Sequence, residues 1–165
     1  MSNRKREPLS EEAKNLIYYL ERYGVCLRRK KTLEARRLNI IREFDSPLSA
    51  VNYDGMPRSN QISVGSASLA LKLDDIDSRI IEQKNKAAKV LLDIMAIIEF
   101  LEEGTQEREV LEHRYIDCAS WNKTCREMHL TRTPANDYWR KALDKLLTFK
   151  KVQQVIRDYA EGNEE

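Results

Sequence analysis

Residues 69–101 read LALKLDDIDSRIIEQKNKAAKVLLDIMAIIEFL, and within them Leu69, Leu73, Ile76, Ile80, Gln83, Ala87, Val90, Ile94, Ile97 and Leu101 recur in an unbroken alternation of four and three. This is a heptad repeat, the spacing that holds one seam of side chains on one side of a helix. It predicts a helix filling 67–104 and closed by Gly104, because glycine readily takes the left-handed conformation that ends a helix. A seam of that length has to be covered by another helical element.

Upstream, the basic segment 1–44 supplies one. Ser10 is placed to cap a helix, Glu11 and Glu12 suit its positive first turn, and Ala13, Ile17, Leu20, Leu27, Leu38 and Ile41 recur at broadly helical spacing. The run Arg28, Arg29, Lys30 and Lys31 interrupts that stripe. Residues 45–66 are rich in Ser, Asn, Pro and Gly and read as a loop. At ~1.5 Å per residue both helices reach roughly 50 Å, so they can pair along their lengths. The pattern fits either a long antiparallel helical hairpin within one chain or a dimerising coiled coil. With ends near residues 10 and 103 facing each other, Glu34 falls opposite Arg79 and Arg36 opposite Asp77. The same register sets Arg28 and Arg29 beside Lys84 and Lys86, a basic patch of six side chains with Lys30 and Lys31.

Composition agrees with an all-α chain: 165 residues contain only five Gly and four Pro, and 34% of side chains are charged. The net charge of +2 hides a strong asymmetry. Residues 1–44 hold twelve basic and six acidic groups, 67–112 hold six and eleven, and 120–151 hold eight and three. A local basic excess is what a phosphate backbone attracts, although a solvated helix face can be equally basic. Cys26, Cys118 and Cys125 form no disulfide framework and read as free thiols, which points to the cytoplasm. No apolar run is long enough to cross a membrane, so no membrane partner is expected.

From residue 105 to 160 the pattern changes to short amphipathic helices: Glu107–Tyr115, Trp121–Met128 and Arg132 to about Phe149. Tight turns between them are the skeleton of a helix-turn-helix. Thr131 is the expected cap of the last helix, with Pro134 in its first turn, where a missing amide hydrogen does little harm. Leu130, Ala135 and Tyr138 would then face the preceding helix, leaving Ser120, Arg132, Thr133, Asn136, Asp137, Arg140 and Lys141 as the candidate DNA-binding residues.

The stretch SWNKTCREMHLTRTPANDYWRKALDKL, residues 120–146, resembles without a gap the helix-turn-helix in the fourth region of bacterial sigma factors. Ser120, Met128, Leu130, Thr131, Arg132, Lys141, Ala142, Leu143 and Leu146 carry the match, and EVLEHRYI at 109–116 resembles the helix before it. Where that family has Gly in the turn this chain has His129, and Thr133 and Asp137 replace its acidic and Gln promoter readers. The string SPLSAVNYDGMPR at 46–58, with its YDGMP core, adds a resemblance to phage-encoded ArpU and RinA-like regulators of late genes. These resemblances imply a transcription regulator that binds double-stranded DNA and works with RNA polymerase, and the long helical hairpin is expected to supply homo-oligomerisation or the polymerase contact. The alternative is a DNA-packaging adaptor resembling a small terminase subunit.

Other chemistries find little footing. His113, Cys118, Cys125 and His129 lie close in sequence but lack the paired two-to-four-residue spacing of zinc sites, and Cys125 is expected to pack as a small buried hydrophobe. No phosphate-binding glycine loop or nucleophile-base pattern is present. The expectation is a protein without metal, cofactor or enzymatic activity. Trp121 and Trp139 read as core residues in preference to base-stacking platforms.

Overall fold

The computed structural model describes residues 8–45 and 61–162, and all regular structure among them is helical. The helices are α1 (Glu11–Asp45), α2 (Gln61–Ile98), α3 (Gln106–Leu111), α4 (Trp121–Glu127), α5 (Arg132–Leu147) and α6 (Lys150–Gly162), with a π-helical turn, Glu112–Ile116, continuing α3. The 46–58 string lies outside the described residues. No helix among the described residues is long and apolar enough to cross a membrane.

Two boundaries differ from expectation. The helix predicted from residue 67 begins at Gln61, so the loop read over 45–66 is shorter at its C-terminal end. Ser63, Gly65 and Ser66 are weak helix formers that disguised this first turn. The same helix ends at Ile98, and Gly104, at φ +75°, closes the turn that follows instead of capping the helix directly.

The heptad seam is the packed side of α2. Ile76, Ala87, Val90, Ile94, Ile97 and Leu101 are buried, and Leu69, Leu73, Ile80 and Gln83 half-buried. Along α1 the covered stripe is Ala13, Leu16, Leu20, Tyr23, Cys26, Lys30, Leu33, Arg37 and Ile40. Leu38, assigned to that stripe from the sequence, is 51% exposed. Apolar residues occupy two adjacent stripes of α1, and the covered one includes Lys30 and Arg37, which are half-buried with their charged ends paired to Glu34 and Asp77.

The chain divides into two compact units, one formed by Val25–Ala88 and one by the chain on either side of it. Within the first, Arg37 grips Asp77 with two hydrogen bonds, Nε at 2.6 Å and Nη2 at 3.3 Å. The expected Arg36–Asp77 pairing is thus one residue out of step. Glu34, expected opposite Arg79, meets Lys30 at 3.4 Å, while Arg79 meets Asp75 at 3.1 Å. Each prefers a partner one turn away on its own helix, where both side chains are already aligned.

Within the second unit, Ser10 caps α1 by accepting from the Ala13 amide at 3.2 Å. Leu16, Leu20, Ile94, Ile98, Val110, Leu111, Leu143, Leu146 and Val152 are fully buried. Each such side chain contributes about 1.5–3 kcal/mol relative to exposure. Helix α3 packs chiefly on α5, which also meets α4 and α6. Tyr19 of α1 meets Tyr159 of α6 edge-on at 5.4 Å, with the Arg22 guanidinium 3.8 Å and 5.1 Å from the two rings. The helix expected to run to about Phe149 ends at Leu147, and the residues after it, to which the sequence reading gave no element, form a further helix, α6, that buries Val152 and Ile156.

Candidate nucleic-acid interface

Helices α4 and α5 are joined by a short turn whose backbone is well defined. Ser120 opens α4 in extended conformation and its hydroxyl accepts from the Lys123 amide at 3.3 Å. Its carbonyl also accepts from the Thr124 hydroxyl at 3.0 Å, which lets that side chain be fully buried. Thr124 therefore holds the small buried position that had been expected of Cys125, which is only half-buried. The Leu130 amide closes back on the Cys125 carbonyl at 2.9 Å, and His129 between them stands at φ +52°. A left-handed residue is needed here to reverse the chain, and histidine fills the place where glycine would be unstrained.

Thr131 stands at the N-cap of α5 with its carbonyl accepting from the Ala135 amide at 3.2 Å, but its hydroxyl makes no capping bond. Pro134 has no amide hydrogen to offer. Beyond the turn, Ala135, Ala142, Leu143 and Leu146 fix the inner face of α5. Arg132, Thr133, Asp137 and Lys141 are exposed, while Asn136 and Arg140 are half-buried beside them. Six of the seven candidate DNA-binding residues thus share one side of α5; Ser120, exposed at the start of α4, has its hydroxyl committed to the cap.

Sequence reasoning missed the cluster that braces this surface. The Arg132 guanidinium lies 4.3 Å from the centre of the Trp121 ring, and that of Arg114, from the π-helical turn, 4.8 Å from it. Trp139 meets Trp121 edge-on at 5.9 Å and donates its indole N–H to the Tyr115 hydroxyl at 3.0 Å. Arg114 also donates to the Ala119 carbonyl, anchoring the loop before α4. Each cation–π contact is worth about 0.5–1 kcal/mol at a partly exposed site. Both tryptophans are half-buried. Nothing in the sequence pairs Arg114 with Arg132, because the two come together only when the turn wraps around Trp121.

The π-helical turn explains part of this geometry. The Asp117 amide reaches the Glu112 carbonyl at 3.0 Å, and the Ala119 amide reaches that of His113 at 2.8 Å. A wider turn keeps Leu111, Tyr115 and Ala119, each four residues on from the last, buried on one face. Burial pushes the Tyr115 phenol up to about 12, with the Trp139 hydrogen bond and Arg114 opposing that rise only in part. At the far end of α5, Lys145 pairs with Glu107 at 3.0 Å. Burial would raise the Glu107 carboxyl, but hydrogen bonds from its own amide and from Lys145, with the charge of nearby Lys141, hold it below its usual value.

The four residues weighed as metal ligands do not converge. His113 faces Asp117 at 3.1 Å, and no group of three or more metal-ligating side chains is gathered among the described residues. The second basic patch is also reorganised. Arg28 and Arg29 line a groove of about 470 Å³ in the Val25–Ala88 unit together with Arg36, Arg79, Glu82 and Gln83, whereas Lys84 and Lys86 are exposed outside that lining. Lys30 is paired with Glu34, and Lys31 is exposed. The recurrence of Arg29 and Arg36 seven residues apart was the available signal for the groove. Comparison of the chain with models of known protein families, with curated proteins and with solved structures found no match.

Proposed function

We propose that the protein is a sequence-specific, double-stranded DNA-binding regulator of transcription, which lays α5 in the major groove. The observation that carries this reading is one side of α5: Arg132, Thr133, Asp137 and Lys141, exposed, and Asn136 and Arg140, half-buried beside them, lie on a helix that follows α4 by one short turn. In this reading Arg132 and Asn136 reach base edges, since arginine matches guanine and asparagine matches adenine, while Arg140 and Lys141 take phosphates. The unsatisfied amides at the start of α5, where Thr131 leaves its capping bond unmade, add donors for a phosphate oxygen. Stacking on Trp121 restricts Arg132 before DNA arrives, which lowers the entropy lost on binding. The resemblance to sigma-factor region four and to ArpU and RinA-like regulators extends the proposal to phage or prophage genes and to contact with RNA polymerase. In this picture the long paired helices α1 and α2 serve as the oligomerising or polymerase-contacting arm.

Selection of bound duplexes from a random pool, followed by titration at several salt concentrations, tests this reading. The expected result is enrichment of a defined site whose affinity falls steeply with salt. Recovery of no common sequence would reject specific recognition, and a ring-shaped oligomer in solution would favour the packaging-adaptor alternative.

A further inference from the structure

The groove of the Val25–Ala88 unit does not need α5 or DNA to explain its make-up. Four arginines line it: Arg28, Arg29 and Arg36 from α1, and Arg79 from α2. Of these, only Arg79 has a carboxylate within ion-pair distance among the described residues, and that pair with Asp75 is largely solvent-exposed. Glu82 is the single acid in the lining. Three exposed guanidinium groups with no carboxylate within ion-pair distance among the described residues, and a fourth from α2, therefore line one open groove.

Gln83 makes the second, independent observation. It occupies a heptad seam position where an apolar residue would pack best, it lines the same groove, and its Oε1 is buried with no donor in reach. Buried polar atoms are nearly always satisfied, so an acceptor left open beside a cluster of donors suits a partner that brings both negative charge and an N–H or O–H group.

The size of the groove decides the kind of partner. A volume of about 470 Å³ falls in the range of small-molecule sites, whereas a DNA duplex is convex and too broad to enter a cleft between two paired helices. We propose that this groove binds a small molecule bearing two or more phosphates, with Arg28, Arg29, Arg36 and Arg79 forming forked hydrogen bonds to the phosphate oxygens and Gln83 accepting from the rest of the ligand. Planar guanidinium groups suit phosphate, which can accept two parallel bonds from each. Nucleoside polyphosphates and inorganic polyphosphate share the phosphate chemistry, and only the nucleoside adds the N–H and O–H donors that Gln83 would accept from. By neutralising the groove, such a ligand draws α1 and α2 together and so regulates the arm independently of the α5 surface.

Calorimetric titration of the full chain with ATP, GTP and inorganic tripolyphosphate tests the site. Saturable binding with one ligand per chain is expected, weakened at least roughly tenfold by Arg36→Gln with Arg79→Gln, while Arg132→Ala in α5 leaves it unchanged. Circular dichroism establishes that the double variant remains helical. Gln83→Leu should weaken ATP and GTP but leave tripolyphosphate unchanged, and nucleotide binding indifferent to this change would overturn the acceptor role of Gln83. Absence of binding by every probe, binding indifferent to Arg36 and Arg79, or displacement of the ligand by duplex DNA from those same arginines would overturn the proposal.

Discussion

The indole N–H of Trp139 donates to the phenolic oxygen of Tyr115 at 3.0 Å, tying the middle of α5 to the π-helical turn beneath it. Burial holds the Tyr115 phenol neutral up to about pH 12, above its ordinary value near 10. A group whose folded pKa is raised stabilises the fold fully below the unfolded value and loses that contribution as pH climbs to the folded one. About 2–3 kcal/mol should therefore disappear between roughly pH 10 and 12. Tyr115→Phe should be less stable at pH 7 by about 1 kcal/mol, having lost the acceptor for Trp139. It should also show a flatter stability profile above pH 10 than the wild type. Urea denaturation of both proteins across that range checks the difference, and parallel profiles would remove the tyrosine from the account.

His129 adopts φ +52° without the freedom of glycine. His129→Gly should raise stability by about 0.5–1 kcal/mol, the relief of the left-handed strain exceeding the greater entropy that glycine brings to the unfolded chain. Because the His129 side chain is exposed and outside the proposed DNA-binding set, DNA affinity should remain unchanged. Chemical denaturation and a binding titration on the same sample decide both points.

Arg132 and Lys141 are both exposed on α5, yet their expected roles differ. Arg132→Ala should cost about 1–3 kcal/mol on the selected site and little on random DNA, as befits a base contact. Lys141→Ala should weaken both alike and lower the slope of affinity against salt, as befits a phosphate contact. Competition binding at several salt concentrations separates them; identical behaviour would withdraw the assignment of roles. Trp121→Ala should reproduce part of the Arg132 loss by freeing the guanidinium it holds at 4.3 Å.

Ile156 places α6 in the core of the second unit at 4% exposure. Ile156→Ala should lower stability by about 2–4 kcal/mol through lost burial and the cavity left behind. The neighbouring exposed Arg157→Ala should shift it by no more than about 0.5 kcal/mol. Thermal unfolding of the pair measures how far the last helix belongs to the same cooperative unit.

Which parts of this protein were legible in one dimension follows from the range of the interactions involved. The heptad from Leu69 to Leu101 marked the packed side of α2, and Ser10, Ser120 and Thr131 marked helix starts, because periodicity and capping depend on neighbours within a few residues. The end of α5 near Phe149 was legible, but the helix that follows was not; burial of Val152 and Ile156 in the tertiary structure is what secures α6. Register was a tertiary decision too. Whether Arg36 or Arg37 meets Asp77 turns on which of two adjacent stripes of α1 packs more surface, a comparison that requires both helices at once. Six of the seven candidate residues could be placed on one side of α5 from spacing, since positions on one helix fix their own faces. Stacking of Arg114 and Arg132 on Trp121, and the gathering of four arginines around Gln83, joined residues far apart in the chain, and only three-dimensional packing could bring them together.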